Sequence, residues 1–187
     1  MFLLRMLMKK GRGGSMDPLH VSMTGVRMGE RFLQIGVHDK ALLAGLAAKV
    51  GLSGTSAVAA LDEGDAKRAR AIGAKVGALI EVHDIDEGRA WPIADAQFDL
   101  VVVDDSQDTF WAIDKPGELL RNALGALRPG GRIEVVTLVK SAHEQVDFQR
   151  RLEEAGFKPV RILAERGRLR FVEGLRGNKE QEITNNE

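Results

Sequence analysis

Apolar residues along the chain form short runs that alternate with longer stretches of helical spacing. Between the first two runs, leucine and valine recur every three or four positions and predict a helix over 40–51, which Gly51 ends. This alternation of strands and helices is typical of a parallel sheet covered by helices. The predicted strands are 31–37, 55–61, 78–84, 98–105 and 132–139, followed by 158–165 and 168–176.

The last two predicted strands are too close together for a crossover helix between them. Only Arg166 and Gly167 separate them, so they must form an antiparallel hairpin. The run over 98–105 is strongly apolar, which is typical of a central strand buried on both faces. The predicted fold class is therefore α/β, a doubly wound, mostly parallel seven-stranded sheet with a C-terminal antiparallel β-hairpin.

Three further helices are predicted between the strands. A helix rich in alanine and basic residues covers 63–77. Asp114 is placed to cap the next helix, with Pro116 in its first turn. Ser141 and Glu144 have the spacing of a capping box, so the last helix is expected to start there.

Length and composition narrow the classes of function. The 187 residues fit one domain, predicted over 21–176 between a leader over 1–20 and a polar tail over 177–187. Lys+Arg and Asp+Glu are both 27, so there is no net basic field to hold nucleic acid. The absence of cysteine excludes disulfides, thiolate metal sites and a cysteine nucleophile, and a cytoplasmic location is expected.

The first residues leave two interpretations open. Arg5, Lys9 and Lys10 interrupt an apolar segment that is too short to span a membrane, so no transmembrane segment is predicted. The segment is either a frayed leader, with Met16 as the true start, or a short interfacial helix that touches a membrane through residues 1–10.

Several stretches, taken in their order along the chain, share the pattern of a known family. They are "HVSMTGVRMGERFLQIG", "ADAQFDLVVVDD", "LLRNALGALRPGGRIEVV" and "EEAGFKPVRILAE". With this order and spacing, the chain resembles the class I S-adenosylmethionine-dependent methyltransferases over roughly residues 21 to 176. The first stretch is similar to the start of small-molecule methyltransferases, including those that act on quinone precursors.

The resemblance implies S-adenosylmethionine as cofactor and methyl transfer to a small-molecule acceptor, lipid-like acceptors included. In the family, an acidic residue at the end of the first strand holds the cofactor's amino group, and alternating glycines let the backbone approach its methionine portion. The corresponding positions are Gln34, Gly36, His38 and Lys40, so only the first glycine is present. We expect the side chains at positions 38 and 40 to narrow the pocket, and Gln34 lacks a carboxylate's charge.

Acidic residues after the next strands extend the implied site. Asp62, beside Glu63, matches the carboxylate that accepts hydrogen bonds from the ribose hydroxyls, and its alternative role is to cap the following helix. Either Asp84 or Asp86 matches a carboxylate near the adenine amino group. Asp104 ends the fourth strand, at the edge where ligands of open α/β sheets bind. The cofactor-binding prediction is thus Gln34, Gly36, His38, Asp62, Glu63, Asp84, Asp86 and Asp104.

The segment after the fourth strand allows two further interpretations. Asp104, Asp105 and Asp108 resemble a cation site, but consecutive acids at a strand end are more often solvated or capping, so no metal is predicted. Phe110 and Trp111 are expected in the core rather than in a pocket wall.

Two functions follow from the sequence. The favoured one is an enzyme that transfers a methyl group from S-adenosylmethionine to a small molecule. The alternative is a non-catalytic binding or partner protein of the same fold, because Gln34, His38 and Lys40 replace the residues that contact the cofactor. A dinucleotide-binding oxidoreductase is disfavoured by the terminal hairpin and by the absence of a glycine fingerprint.

Overall fold

The computed structural model describes residues 18–86, 91–140 and 147–178. The helices are α1 (Pro18–Met23), α2 (Lys40–Val50), α3 (Glu63–Val76), α4 (Pro116–Ala126) and α5 (Phe148–Ala155). The strands are β1 (Arg31–Ile35), β2 (Thr55–Ala60), β3 (Ile80–Asp84), β4 (Phe98–Asp104), β5 (Leu127–Leu138), β6 (Val160–Arg166) and β7 (Leu169–Leu175). None of the helices in these ranges combines the length and apolar character needed to cross a bilayer.

All seven strands form one sheet, in the order β3-β2-β1-β4-β5-β7-β6. Strands β1 to β5 pair in parallel, whereas β7 pairs antiparallel with both β5 and β6. The predicted doubly wound sheet with a terminal hairpin is therefore confirmed. Because the order reverses between β1 and β4, the loops after these two strands diverge at the carboxyl edge of the sheet.

Helices cover both faces of the sheet, and the central strand β4 shows why. Val101 and Val103 belong to a core with α4 and α5, whereas Leu100 and Val102 belong to a second core with α1, α2 and α3. All four side chains are at most 3% exposed. A strand buried on both faces needs an apolar residue at nearly every position, which is the pattern that placed it at the centre.

Helix α4 begins one residue later than a cap at Asp114 would require. The N-terminal flanking residue is Lys115, which makes no side-chain capping bond, and Pro116 occupies the first turn. A residue that precedes proline is disfavoured in helical conformation, and Lys115 has φ −123° and ψ 64°. The prediction that Asp114 caps this helix is therefore wrong.

The boundaries of the last elements also differ from the prediction. Helix α5 begins at Phe148 behind Asp147, whose carboxylate accepts from the Arg150 N–H at 3.2 Å. The predicted capping box, Ser141 and Glu144, lies outside the described residues. The turn of the β6–β7 hairpin consists of residues 167 and 168, one position later than predicted.

Candidate functional site

Asp104, at the end of β4, fixes the loop that follows β1. Its Oδ2 accepts from the backbone N–H groups of His38 (2.8 Å) and Asp39 (2.6 Å). Its Oδ1 accepts from the N–H (3.2 Å) and the hydroxyl (2.6 Å) of Ser106. The carboxylate is 3% exposed, so both of its oxygens serve the protein's own loops.

Asp65 has a parallel role that the sequence did not reveal. It lies in the first turn of α3 and is 1% exposed. Its Oδ1 accepts from the Val37 N–H at 2.9 Å, and its Oδ2 accepts from the Leu61 N–H at 3.2 Å. The Arg68 guanidinium pairs with the same carboxylate at 2.6 Å. Asp65 therefore holds the β1–α2 loop against the β2–α3 loop, and the only sequence signal for it was an acidic residue in a helical first turn.

Asp62 and Glu63 lie at the tip of β2, on the solvent side of this arrangement. Asp62 Oδ1 accepts from the Asp65 N–H at 2.7 Å, so Asp62 does cap α3, as its alternative role required. The Asp62 side chain is 68% exposed, and its Oδ2 accepts no hydrogen bond from the first turn of α3. Glu63 forms an exposed ion pair with Lys67 one turn along the helix.

His38 covers the one glycine that the loop retains. Gly36 has φ +76°, a conformation that favours glycine, and an added Cβ would lie 3.3 Å from the Asp104 carbonyl oxygen. The His38 ring lies over Gly36, and its Nε2 is 3.0 Å from the Thr109 hydroxyl. Lys40 is exposed at the start of α2. Of the two side chains that replace the family's glycines, therefore, only that of His38 lies over Gly36, whereas that of Lys40 does not.

The His38–Thr109 contact leaves a small space below it, which we name the central gap. Its volume is about 10 Å³. It is lined by Ile35, His38, Leu61, Val103, Asp104, Asp105, Thr109, Phe110 and Ile113.

Gln34 lies in β1 next to this loop, and it is not among the residues that line the central gap. It is fully buried near the end of β1, and its amide Nε2 donates to the Gly36 carbonyl oxygen at 2.9 Å. Its Oε1 has no hydrogen-bond partner within the described ranges. The side chain therefore braces the loop from below.

A second cavity, the β3 cavity, opens beside the central gap and has a volume of about 210 Å³. Leu61 and Ile113 line both spaces. Of the two candidate carboxylates near β3, Asp86 lines the β3 cavity and Asp84 does not. The complete lining is Leu61, Ile85, Asp86, Trp91, Ile113, Lys115, Glu118, Leu119 and Asn122.

A third and larger space, the hairpin cavity, lies on the other side of His38 and has a volume of about 680 Å³. Residues from α1, from the loops after β1 and β4, and from the β6–β7 turn form its walls. They are His20, His38, Asp39, Ser106, Gln107, Glu165, Arg166, Gly167, Arg168 and Leu169. His38 lines both this cavity and the central gap, so it separates the two sides of the site.

Asp105 and Phe110, which follow β4, make their contacts within the protein, whereas the side chain of Trp111 lies outside the described part of the structure. Asp105 accepts from the Thr109 and Phe110 N–H groups and from the Thr137 hydroxyl, and its burial raises the pKa of the carboxyl. Phe110 is 2% exposed and its ring centroid lies 4.7 Å from that of Phe148, so it belongs to the core. Within the described residues, no group of three or more potential ligands could hold a metal ion.

Solved structures with the same fold include SAM-dependent methyltransferases. A SAM-dependent methyltransferase from Aquifex aeolicus aligns with a TM-score of 0.73 at 20% identity, over 92% of this chain and 96% of that one. A SAM-dependent O-methyltransferase from Thermotoga maritima aligns with a TM-score of 0.64 at 18% identity, over 94% and 71%. The [4+2]-cyclase SpnF aligns at 0.60 and 19% identity, over 78% and 56%. Identities this low show a shared fold.

The family of the chain is assigned from its sequence. No curated protein matches it. A family model described as "Methyltransferase domain" matches residues 33–135, from β1 into β5. This segment is more than half of the 187 residues and contains the loops that form the central gap and most of the β3 cavity. The chain therefore belongs to the class I S-adenosylmethionine-dependent methyltransferase family.

Proposed function

We propose that the protein transfers a methyl group from S-adenosylmethionine to a small-molecule acceptor. The observation that carries this proposal is the meeting of two cavities at His38, where the loops after β1 and β4 diverge. Ligands of open α/β sheets bind at this reversal of strand order. In the proposal, the β3 cavity takes the cofactor's nucleoside, and the hairpin cavity takes the acceptor.

The nucleoside portion of the cofactor suits the β3 cavity. Leu61, Ile85, Trp91 and Ile113 offer apolar surface to a purine ring, and Asp86 offers an acceptor for its amino group. Small-molecule sites commonly occupy about 300–1,000 Å³, so a cavity of about 210 Å³ holds part of a ligand of this size. Asp62, next to Leu61, supplies carboxylate oxygens for the ribose hydroxyls.

Binding of the cofactor's methionine portion requires a local change in the loop after β1. The N–H groups of Val37, His38 and Asp39 already donate to Asp65 and Asp104, and the central gap is too small for a side chain. Rotation of His38 away from Gly36 would open the gap at the cost of its contact with Thr109. One such hydrogen bond contributes about 0.5–1.5 kcal/mol, which corresponds to up to about tenfold in affinity. The cofactor therefore fits with reduced affinity.

Calorimetry with Asp62→Asn tests the placement of the ribose. Asparagine is as good an N-cap as aspartate, so the variant keeps α3 while it loses the carboxylate charge. A charge-assisted hydrogen bond contributes roughly 1.5–3 kcal/mol, so we expect about tenfold weaker binding of S-adenosylmethionine. Asp147→Asn, at the equivalent cap of α5, is the matched control and should bind as the parent does. Equal affinities for the two variants would place the ribose elsewhere.

A non-catalytic role is the second candidate, and the occupied loop favours it. Three N–H groups of this loop already donate to the protein's own carboxylates. In addition, Gln34 is neutral and fully buried, so β1 offers no acidic group near its end to the cofactor's ammonium. A fold that is shared with enzymes does not by itself imply their activity. If the protein is non-catalytic, the parent should not bind S-adenosylmethionine. Gln34→Asp combined with His38→Gly should then create affinity for this cofactor.

A further inference from the structure

We infer that the amino edge of the sheet, opposite the candidate site, binds the surface of an anionic membrane. The amino edge consists of the segments that lead into β1, β2 and β3, which are residues 27–31, 49–55 and 75–80. Membrane contact here is independent of the proposed methyl transfer, because the cavities beside His38 lie at the carboxyl edge.

The most exposed large apolar side chains of the described residues all lie at this edge. Met28, Leu52 and Leu79 are 80%, 100% and 86% exposed, whereas the other large apolar side chains are at most 41% exposed. Side chains this exposed make almost no contact with the core. The fold itself therefore does not require an apolar residue at these three positions.

The three apolar tips lie on neighbouring segments. The Gly29 N–H donates to the Val50 carbonyl oxygen at 2.9 Å, which joins the segment of Met28 to that of Leu52. Leu79 directly precedes β3, which pairs in parallel with β2 next to the segment of Leu52. Exposed apolar residues that are grouped in this way indicate a surface that contacts something outside the chain.

Each of the three segments also carries a basic residue. Arg27 lies in the segment before β1, and Lys49 and Lys75 lie in the last turns of α2 and α3. All three side chains are exposed, and none of them forms an ion pair within the ranges that the structure describes. Every apolar tip is therefore accompanied by a cation that the protein does not neutralise.

Most acidic residues near this edge are paired with arginines. Glu30 is 13% exposed and pairs with Arg132 at 3.0 Å, and Asp99, at the start of β4, pairs with Arg128. Glu81, the second residue of β3, is 46% exposed and offsets one of the three cations. The edge is therefore positive, although the whole chain has no net charge.

Apolar tips between cations suit the interface of an anionic bilayer. The tips would enter the boundary between headgroups and acyl chains, and the cations would stay level with the lipid phosphates. Met28, Leu52 and Leu79 line none of the cavities described above, so they do not form a groove for a peptide or a helix. A planar, negatively charged lipid surface matches both the projecting tips and the charge.

Contact through the amino edge would hold the candidate site away from the membrane. Strand β1 has five residues, and a strand rises about 3.3 Å per residue, so the loops at its two ends are separated by about 15–20 Å. The hairpin cavity would then open to water while the protein is bound to lipid.

A tryptophan placed at one tip tests the inference in the full chain. The emission of Leu52→Trp should shift to shorter wavelength with vesicles of phosphatidylcholine and phosphatidylglycerol. It should shift little with phosphatidylcholine alone or in high salt, because salt screens the attraction between the cations and the lipid. Lys40→Trp, at the opposite edge, is the matched control and should behave as the parent does.

Removal of two cations tests the electrostatic part. Lys49→Gln combined with Lys75→Gln should weaken binding to the anionic vesicles about tenfold or more in co-sedimentation. Lys40→Gln combined with Arg121→Gln removes the same charge from exposed positions away from the amino edge, and should weaken binding by less than about twofold, because the attraction falls off within a Debye length.

Four results would overturn the inference. The first two are equal vesicle binding by the two charge variants and equal emission shifts in Leu52→Trp and Lys40→Trp. The third is vesicle binding that persists unchanged in Leu52→Ser combined with Leu79→Ser, which would assign the contact to residues 1–10. The fourth is a parent that binds no vesicles but forms a dimer that Leu52→Ser dissociates in analytical ultracentrifugation, which would assign the edge to a second copy of the chain.

Discussion

Three consecutive backbone N–H groups of the β1–α2 loop are held by two buried carboxylates, and this explains how the loop keeps its shape with one glycine. Asp65 takes the N–H of Val37, and Asp104 takes those of His38 and Asp39. A buried carboxylate that accepts several N–H bonds is held in one position by them, and it holds the donors in turn. The loop that usually approaches the cofactor's methionine portion is thus fixed from within the protein.

Replacement of Asp104 tests this account at the level of one residue. Both carboxylate oxygens of Asp104 accept hydrogen bonds from groups of His38, Asp39 and Ser106. Asp104→Asn would replace one of these oxygens with an NH₂ group, which cannot accept, so at least one buried donor would lose its partner. We expect the free energy of unfolding to fall by about 1–3 kcal/mol, measured by urea denaturation. Asp95→Asn, the same change at an exposed position, should alter it by less than about 0.5 kcal/mol. If both variants were equally stable, Asp104 would not fix the loop.

At the level of elements, the pairing of β5 with β7 buries two carboxyl groups side by side. Glu134 lies directly opposite Glu173, and Arg161 of β6 pairs with Glu173 at 2.7 Å. Glu134 is fully buried, and neither of its oxygens has a hydrogen-bond partner among the described residues. Burial raises the pKa of Glu134 to about 9, with the charge of Glu173 adding to the effect and Arg132 and Arg161 opposing it. The Glu134 carboxyl is therefore neutral at neutral pH.

The raised pKa makes the sheet less stable in base. A carboxyl with a pKa of 4.5 in the unfolded chain and about 9 in the folded protein contributes stability fully below 4.5 and loses it as the pH rises through about 9. Between these values the free energy of unfolding should fall by on the order of 1 kcal/mol per pH unit. Glu134→Gln, which is neutral at every pH, should remove this decline in urea denaturation. A parallel decline in parent and Glu134→Gln, with exposed Glu153→Gln as the control, would assign the pH dependence to other groups.

At the level of the whole molecule, the sheet order brings the loops after β1, β2 and β4 together and encloses a site that His38 divides. The positions of Asp62 and Asp104 at strand ends were predictable, because strands and their order follow from apolar periodicity. Asp65 was not, since its partner Val37 is 28 residues away and only the folded β2–α3 loop brings them together. The hairpin cavity was not predictable either, because the β6–β7 turn meets α1 and the β1–α2 loop only in the folded protein.

Direct binding of the cofactor and of its nucleoside portion tests the central claim. With His38 in place, calorimetry should show that adenosine binds and that S-adenosylmethionine gains little from its methionine portion. His38→Gly should strengthen S-adenosylmethionine binding by up to about tenfold and leave adenosine binding unchanged, because only the methionine portion needs the central gap. Lys40→Gly is the matched control and should change neither affinity, since Lys40 is exposed. Failure of the parent to bind adenosine, or equal effects of His38→Gly and Lys40→Gly on S-adenosylmethionine binding, would contradict the account.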